Sequence, residues 1–116
     1  MTISIASEEG RQIIDDSQAS LKGQKGSILS FVALSRLLHE ENSARLAEMV
    51  EILTSKDIRI LKQVFYYEDE AYGAVQVSDD NIKSYLTLGQ FYHPITKLSI
   101  ELDNLEERIL IEFEVL

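Results

Sequence analysis

The sequence predicts an α+β protein in which helices come first and strands last. Apolar residues recur at three- and four-residue spacing behind capping residues as far as residue 88, and they alternate with polar residues in two stretches after it. Punctuation is sparse. The 116 residues include one proline, Pro94, and five glycines, so no linker or low-complexity tract splits the chain.

The first helix spans about 7–21. Ser7 can cap orphan amides, and Glu8 and Glu9 suit the positive end of the helix dipole. Its apolar stripe is thin, resting on Ile13, Ile14 and Leu21, and Gly10 weakens it. Residues 1–26 are therefore expected as an N-terminal arm or loosely packed helix ending at Gly23 and Gly26, with 27–116 as a single globular domain. Ser27 opens the most apolar helix, 28–40, where Ile28, Leu29, Phe31, Val32, Leu34, Leu37 and Leu38 cover over half of the circumference. It is the expected core helix. In 44–53, Leu46, Met49, Val50 and Leu53 form a narrow buried stripe, with Glu48 and Glu51 outside.

Segment 56–66 carries two patterns. Behind a Ser55 cap, Ile58, Leu61 and Phe65 share a helical face, while Ile58, Ile60, Val64 and Tyr66 alternate as a strand would; the helix is preferred. Ser78, Asp79 and Asp80 then cap a helix over 79–88, with Ile82, Tyr85 and Leu86 as its buried stripe and Gly89 as its stop. Last comes an antiparallel hairpin, about 97–103 and 108–116. Leu98, Ile100 and Leu102 alternate in one strand and Ile109, Ile111, Phe113 and Val115 in the other, and "DNLEE" turns the chain between them.

Composition closes several chemistries. Twenty acids against eleven bases leave a net charge of -9, a field that repels nucleic acid, anionic lipid and phosphorylated substrates and attracts basic partners. No cysteine is present, which removes disulfides, thiolate nucleophiles and cysteine-bearing metal sites. The start, "MTISIASEEGRQ", lacks the basic head and apolar run of a secretory signal, and the longest apolar stretch, Phe31–Leu34, is far short of a membrane span. A soluble, cytoplasmic protein is expected, with no membrane partner.

Motifs with chemistry are few. His39 and His93 are the only histidines, and neither sits in an HExxH spacing. Ser35 and His39 lie one helical turn apart, but a mid-helix nucleophile has no spare amides for an oxyanion. His93 precedes Pro94, which biases it to extended backbone, and with Tyr92 or a carboxylate it is the remaining candidate for an acid or base. "LKGQKGSIL" fails as a P-loop in both residue order and context. It resembles the GXXG loop of KH domains, which implies a backbone clamp on nucleic acid, but the strands that fold needs do not follow. Aligned as an EF-hand loop from Glu68, the stretch places Gly73 correctly, yet it has Glu first, Tyr72 fifth and Asp79 twelfth, a poor calcium ligand set.

"VSDDNIKSYL" resembles the turn and recognition helix of helix-turn-helix regulators, with Ser78 as cap, Ile82 as buried anchor and Leu86 one turn on. "LTSKDIRILKQV" resembles the helix that precedes such units. The resemblance covers residues 53–116 and implies a winged-helix-like arrangement, with the hairpin as wing, in a DNA-binding transcription regulator. Asp79 and Asp80 at the start of that helix oppose phosphate, so nucleic acid is not the expected partner.

The tyrosines point instead to protein contact. Tyr66, Tyr67, Tyr72, Tyr85 and Tyr92 fall within a third of the chain, and tyrosine offers large contact area at low entropic cost. The expectation is a small acidic, non-enzymatic binding protein of the regulator, adaptor, chaperone-like or inhibitor kind. Its expected partner-binding residues are Tyr66, Tyr67, Glu68, Asp69, Glu70, Tyr72 and Tyr92, without cofactor, metal or catalytic site. A protein partner, basic in character, or a second copy in a homodimer is the expected ligand. The strand that runs to residue 116 offers an edge for such pairing.

Overall fold

A computed structural model describes residues 7–101, 103 and 105–116. The first six residues of the expected arm and Leu102 of the expected hairpin lie outside the described residues. The fold class is α+β, and the chain divides into two compact units, 1–63 with 113–116, and 64–112. Among the described residues no helix is long and apolar enough to cross a membrane.

In the first unit, α1 (Glu8–Ser20) starts where Ser7 Oγ accepts the Gly10 amide at 3.0 Å. Strand β1 (Ile28–Leu29) follows, then α2 (Phe31–Leu37) and α3 (Ser43–Leu53). Ser30 and Asn42 cap the two helices by accepting the amides of Ala33 and Arg45. Leu21, Leu34, Leu46, Val50, Leu53, Leu61, Phe113 and Val115 form the main core, and Ile13, Met49 and Ile52 form a second cluster. Arg45 ties α3 to α1 through an ion pair with Glu9 at 2.6 Å.

The expected helix 28–40 is shorter than its apolar run. Ser30 is its cap, not Ser27, because residues 26–29 are drawn into strand pairing. Ile28 faces Glu114, Leu29 faces Phe113, and Val115 exchanges hydrogen bonds with Gly26 and Ser27 at 2.7 and 2.9 Å. What remains is a seven-residue helix with Leu34 fully buried and Val32 60% exposed.

Residues 56–66 correct the preferred helix in favour of the alternative strand. Ser55 caps nothing; its hydroxyl donates to the Ile52 carbonyl at 2.8 Å, finishing α3. A turn follows, and β2 (Leu61–Asp69) then runs through the end of the first unit into the second. Leu61, Val64 and Tyr67 are buried at three-residue intervals, which is the spacing that imitates a helix. Backbone pairing overrides it. Strand β3 (Gly73–Val77) lies antiparallel to β2 in a register from Phe65↔Val77 to Asp69↔Gly73.

The remaining elements are α4 (Asp79–Leu88), β4 (Phe91–Tyr92), β5 (Ser99–Ile100), the helical turn α5 (Leu105–Arg108) and β6 (Ile109–Val115). Helix α4 has the expected bounds. Ser78 Oγ accepts the Asn81 amide at 3.2 Å, and Gly89 ends the helix at φ 66. Ile82 and Tyr85 pack on the core of this unit, formed by Tyr67, Val77, Phe91 and Leu105, but Leu86 is 75% exposed. The element before α4 is β3, one residue away, so the helix–turn–helix unit around Ser78 does not form.

Strands stand at both expected C-terminal places, yet their pairing differs from a hairpin. β5 pairs with β4 (Phe91↔Ile100, Tyr92↔Ser99), while β6 takes a place in the order β1-β6-β2-β3. Between them "LEER" coils into α5, because Leu105 is 2% exposed in the core and a tight turn would leave it in water.

Two stability contrasts follow from these positions. Leu34→Ala is expected to cost about 2–5 kcal/mol in urea unfolding, whereas Val32→Ala in the same helix should stay within about 0.5 kcal/mol. Ser78→Ala should lose about 1 kcal/mol through its cap, and Ser78→Asp should restore most of it.

Candidate functional site

All of the residues of this site belong to the unit 64–112. The β2–β3 hairpin places Tyr67 and Asp69 on one face of β2, with Tyr66 and Glu68 alternating to the other. His93, just past β4, sits against that face. Its Nε2 is 3.1 Å from Asp69 Oδ1, and its ring meets the rings of Tyr67 and Tyr72 edge-on at 5.5 and 6.1 Å. Tyr67 also packs on Phe91 at 5.8 Å.

The other ring nitrogen settles the tautomer. His93 Nδ1 accepts the amides of Ile95 and Thr96, both at 3.1 Å, so the ring proton is on Nε2 and is donated to Asp69. The loop is closed further by the His93 amide on the Leu98 carbonyl at 2.8 Å and by the Lys97 amide on the His93 carbonyl at 2.9 Å. Residues 93–98 thus form a turn built around an imidazole. The His93 hydrogen bond, together with the Ala71 amide, holds the Asp69 carboxyl below its usual range against an opposing desolvation penalty. Its conjugate base is the form the site is built for.

Arg108 approaches from α5. Its Nη1 donates to the Tyr67 hydroxyl and its Nη2 pairs with Glu70, each at 3.5 Å, and Tyr67 is the main cause that raises the guanidinium above its ordinary value. Asn81 of α4 clamps β4. Its amide nitrogen donates to the Tyr92 carbonyl at 2.6 Å and its oxygen accepts the Tyr92 amide at 3.0 Å. A shallow cleft of about 410 Å³ beside the clamp is lined by Ser78, Asn81, Ser84, Tyr92, His93 and Lys97.

A carboxylate–imidazole pair resembles the orienting half of a general base, but a base also needs a nitrogen facing its substrate. Here that nitrogen is committed to two backbone amides, and the side chain is 12% exposed. The pair acts as a brace. Of the other catalytic candidates, Ser35 donates its hydroxyl to the Glu40 carbonyl at 2.6 Å, and His39 is exposed in a left-handed conformation just past α2. The acidic run from Glu68 to Asp80, aligned above as a calcium loop, is strand, turn, strand and helix start.

The expected partner residues separate accordingly. Tyr67 is buried and Tyr66 half-buried; Asp69 is spent on His93; Glu68, Glu70, Tyr72 and Tyr92 remain exposed. Three residues missed by sequence reasoning complete the arrangement. Arg108 and Asn81 carry no spacing signal, because their partners lie 41 and 11 residues away. Thr96 enters through its backbone amide, and that bond could have been found, since a polar side chain just before a proline, here His93, can accept the amides two and three residues on.

The His93 bond makes stability depend on pH in the acid range. Asp69 has a lowered carboxyl pKa in the folded state, so its contribution is complete above the unfolded value, about 3.9, and fades as pH falls through the lower folded value. Asp69→Asn should therefore be less stable than wild type at pH 7, with the two urea midpoints converging towards pH 2. Equal midpoints at pH 7 would contradict the brace. No protein-family model, curated protein or solved structure matches this chain.

Proposed function

We propose that this chain is a non-enzymatic binding protein that works through protein contacts, with its contact surface on the unit 64–112. One observation carries this. Of eleven exposed large hydrophobic residues among the described residues, five fall within residues 86–98: Leu86, Leu88, Tyr92, Ile95 and Leu98. Leu86, Leu88 and Leu98 are each at least 70% exposed. Large apolar side chains concentrated in water in this way characterise contact surfaces.

Charge specifies the partner. The unit 64–112 carries ten acids and three bases, a net charge of -7, out of the chain's -9. A basic protein gains from that field, while a second copy would bring like charge against like charge. The surface therefore fits a basic partner with an apolar centre better than it fits a homodimer. The brace at His93 supports the same function, because an ordered turn presents Ile95 and Leu98 at a lower entropic cost than a free loop.

Affinity capture from source cells, combined with light scattering, tests this proposal. Wild type should retain a basic protein, retention should weaken between about 50 and 300 mM salt, and Leu86→Ser/Leu98→Ser should abolish it while changing stability by less than about 1 kcal/mol. Retention that survives the double substitution would place the surface elsewhere. A wild-type chain that retains nothing and stays at 13.2 kDa would sink the proposal.

A further inference from the structure

The tip of the turn at residues 93–98 is closed by an acceptor that exists only while the His93 ring is neutral. Nδ1 takes the amides of Ile95 and Thr96, both at 3.1 Å, and Nε2 donates its proton to Asp69 Oδ1 at 3.1 Å. With Nε2 already protonated, the next proton that the ring accepts enters at Nδ1. An imidazolium carries two N–H donors and no ring lone pair. Nδ1–H then points at two amide N–H groups, and three donors meet without an acceptor. The other end of the crosslink survives the same step, because Nε2–H still donates to Asp69 and that bond gains charge assistance.

The surroundings of the ring favour such a one-sided release. Asp69 and Tyr67 face it from β2, and Tyr72 faces it from the turn between β2 and β3. Behind Tyr67 lies Arg108 of α5, which also pairs with Glu70. Asp80 of α4, Tyr92 of β4 and Lys97 of the turn line the cleft together with His93. The carboxylates attract a charged ring, while Lys97 and Arg108 repel it. Asp69 remains a carboxylate down to acid pH, because its carboxyl is held below the usual range, so the anchor on β2 persists while the turn lets go.

Strain adds to the same direction. Lys97 is held at φ 64, a left-handed backbone that a lysine adopts only at a cost, and opening the turn relieves it. Two backbone bonds hold the base of the turn, from the His93 amide to the Leu98 carbonyl and from the Lys97 amide to the His93 carbonyl. The part freed first is therefore the tip, Pro94 to Thr96. It carries Ile95, which is 44% exposed and belongs to the apolar contact surface.

We infer that protonation of His93 opens this turn and releases the bound partner, so that the surface at residues 86–98 is acid-sensitive. Histidine is the side chain whose charge changes between about pH 5 and 8, and His93 is the histidine built into that surface. A free tip must be ordered again before Ile95 and Leu98 can bind, which lowers affinity by the fraction of molecules that remain closed. Release rests on the protein-contact reading, whereas opening of the turn does not.

Nuclear magnetic resonance of the full chain between about pH 8 and 5 tests the opening without any partner. The His93 ring signals and the Ile95 and Thr96 amides should titrate with one shared midpoint, with faster amide exchange on the acid side, while the Ile82 amide inside α4 stays unmoved. A ring that takes no proton above about pH 5, or that is protonated while both amides stay bonded, would overturn the inference. The release is read by affinity capture, where retention of the basic partner should fall at least about tenfold from pH 7.5 to 5.5. Asparagine can close the same turn with an oxygen that does not titrate, so His93→Asn should give equal retention at the two pH values. The other histidine, His39, is exposed at φ 54, a backbone that asparagine tolerates, so His39→Asn should keep the wild-type pH dependence. Acid release that persists in His93→Asn would also overturn it. If capture fails at every pH while the ring and amides titrate together, the protein-contact proposal falls and the opening stands.

Discussion

Pairing of residues 65–69 with residues 73–77 is the constraint from which the unit 64–112 follows. Every backbone amide and carbonyl in that stretch must be bonded or hydrated, and an antiparallel ladder answers the need without the local turns of a helix. Once the register Tyr67↔Val75 is set, Tyr67 and Asp69 share a face, Val77 reaches the core, and Ser78 is left to start α4. The face so formed is what His93, Phe91 and Tyr85 cover. If the register slipped by one residue, Tyr66 and Glu68 would replace Tyr67 and Asp69, and the imidazole would lose its acceptor.

The imidazole brace illustrates how context assigns a role to a residue type. Histidine beside aspartate is a familiar pairing in catalysis, where the carboxylate orients one nitrogen so that the other can move a proton. At His93 that second nitrogen holds two amides of its own turn. A side chain with the chemistry of a base has become an internal crosslink between the tip of the β2–β3 hairpin and the turn after β4. The cost of ordering an exposed loop is offset by hydrogen bonds from a group already half-immobilised in an aromatic setting.

Charge is unevenly distributed between the two units, at -7 and -2. An acidic unit with exposed leucines suits a basic protein partner. Net charge alone does not reveal that contrast, because a sum over all residues carries no information about where each charge lies.

What the sequence determined by itself was local. The caps at Ser7 and Ser78, the glycine stop at Gly89, the bounds of α1, α3 and α4, and the α+β class all rest on interactions within a few residues, so one sequence window contains both partners. Tertiary structure decided the rest. Residues 56–66 carry helical and strand patterns together, and pairing of β2 with both β6 and β3 tips residues 61–66 to strand; Ile28 and Leu29 leave a helical run because Phe113 and Glu114 are there to pair with. The same holds for the site. Asp69 and His93 are 24 residues apart and Tyr67 and Arg108 are 41 apart, distances at which no periodicity links them. Short-range hydrogen bonds and caps can be read along the chain, whereas strand pairing and side-chain convergence depend on partners that only folding brings near.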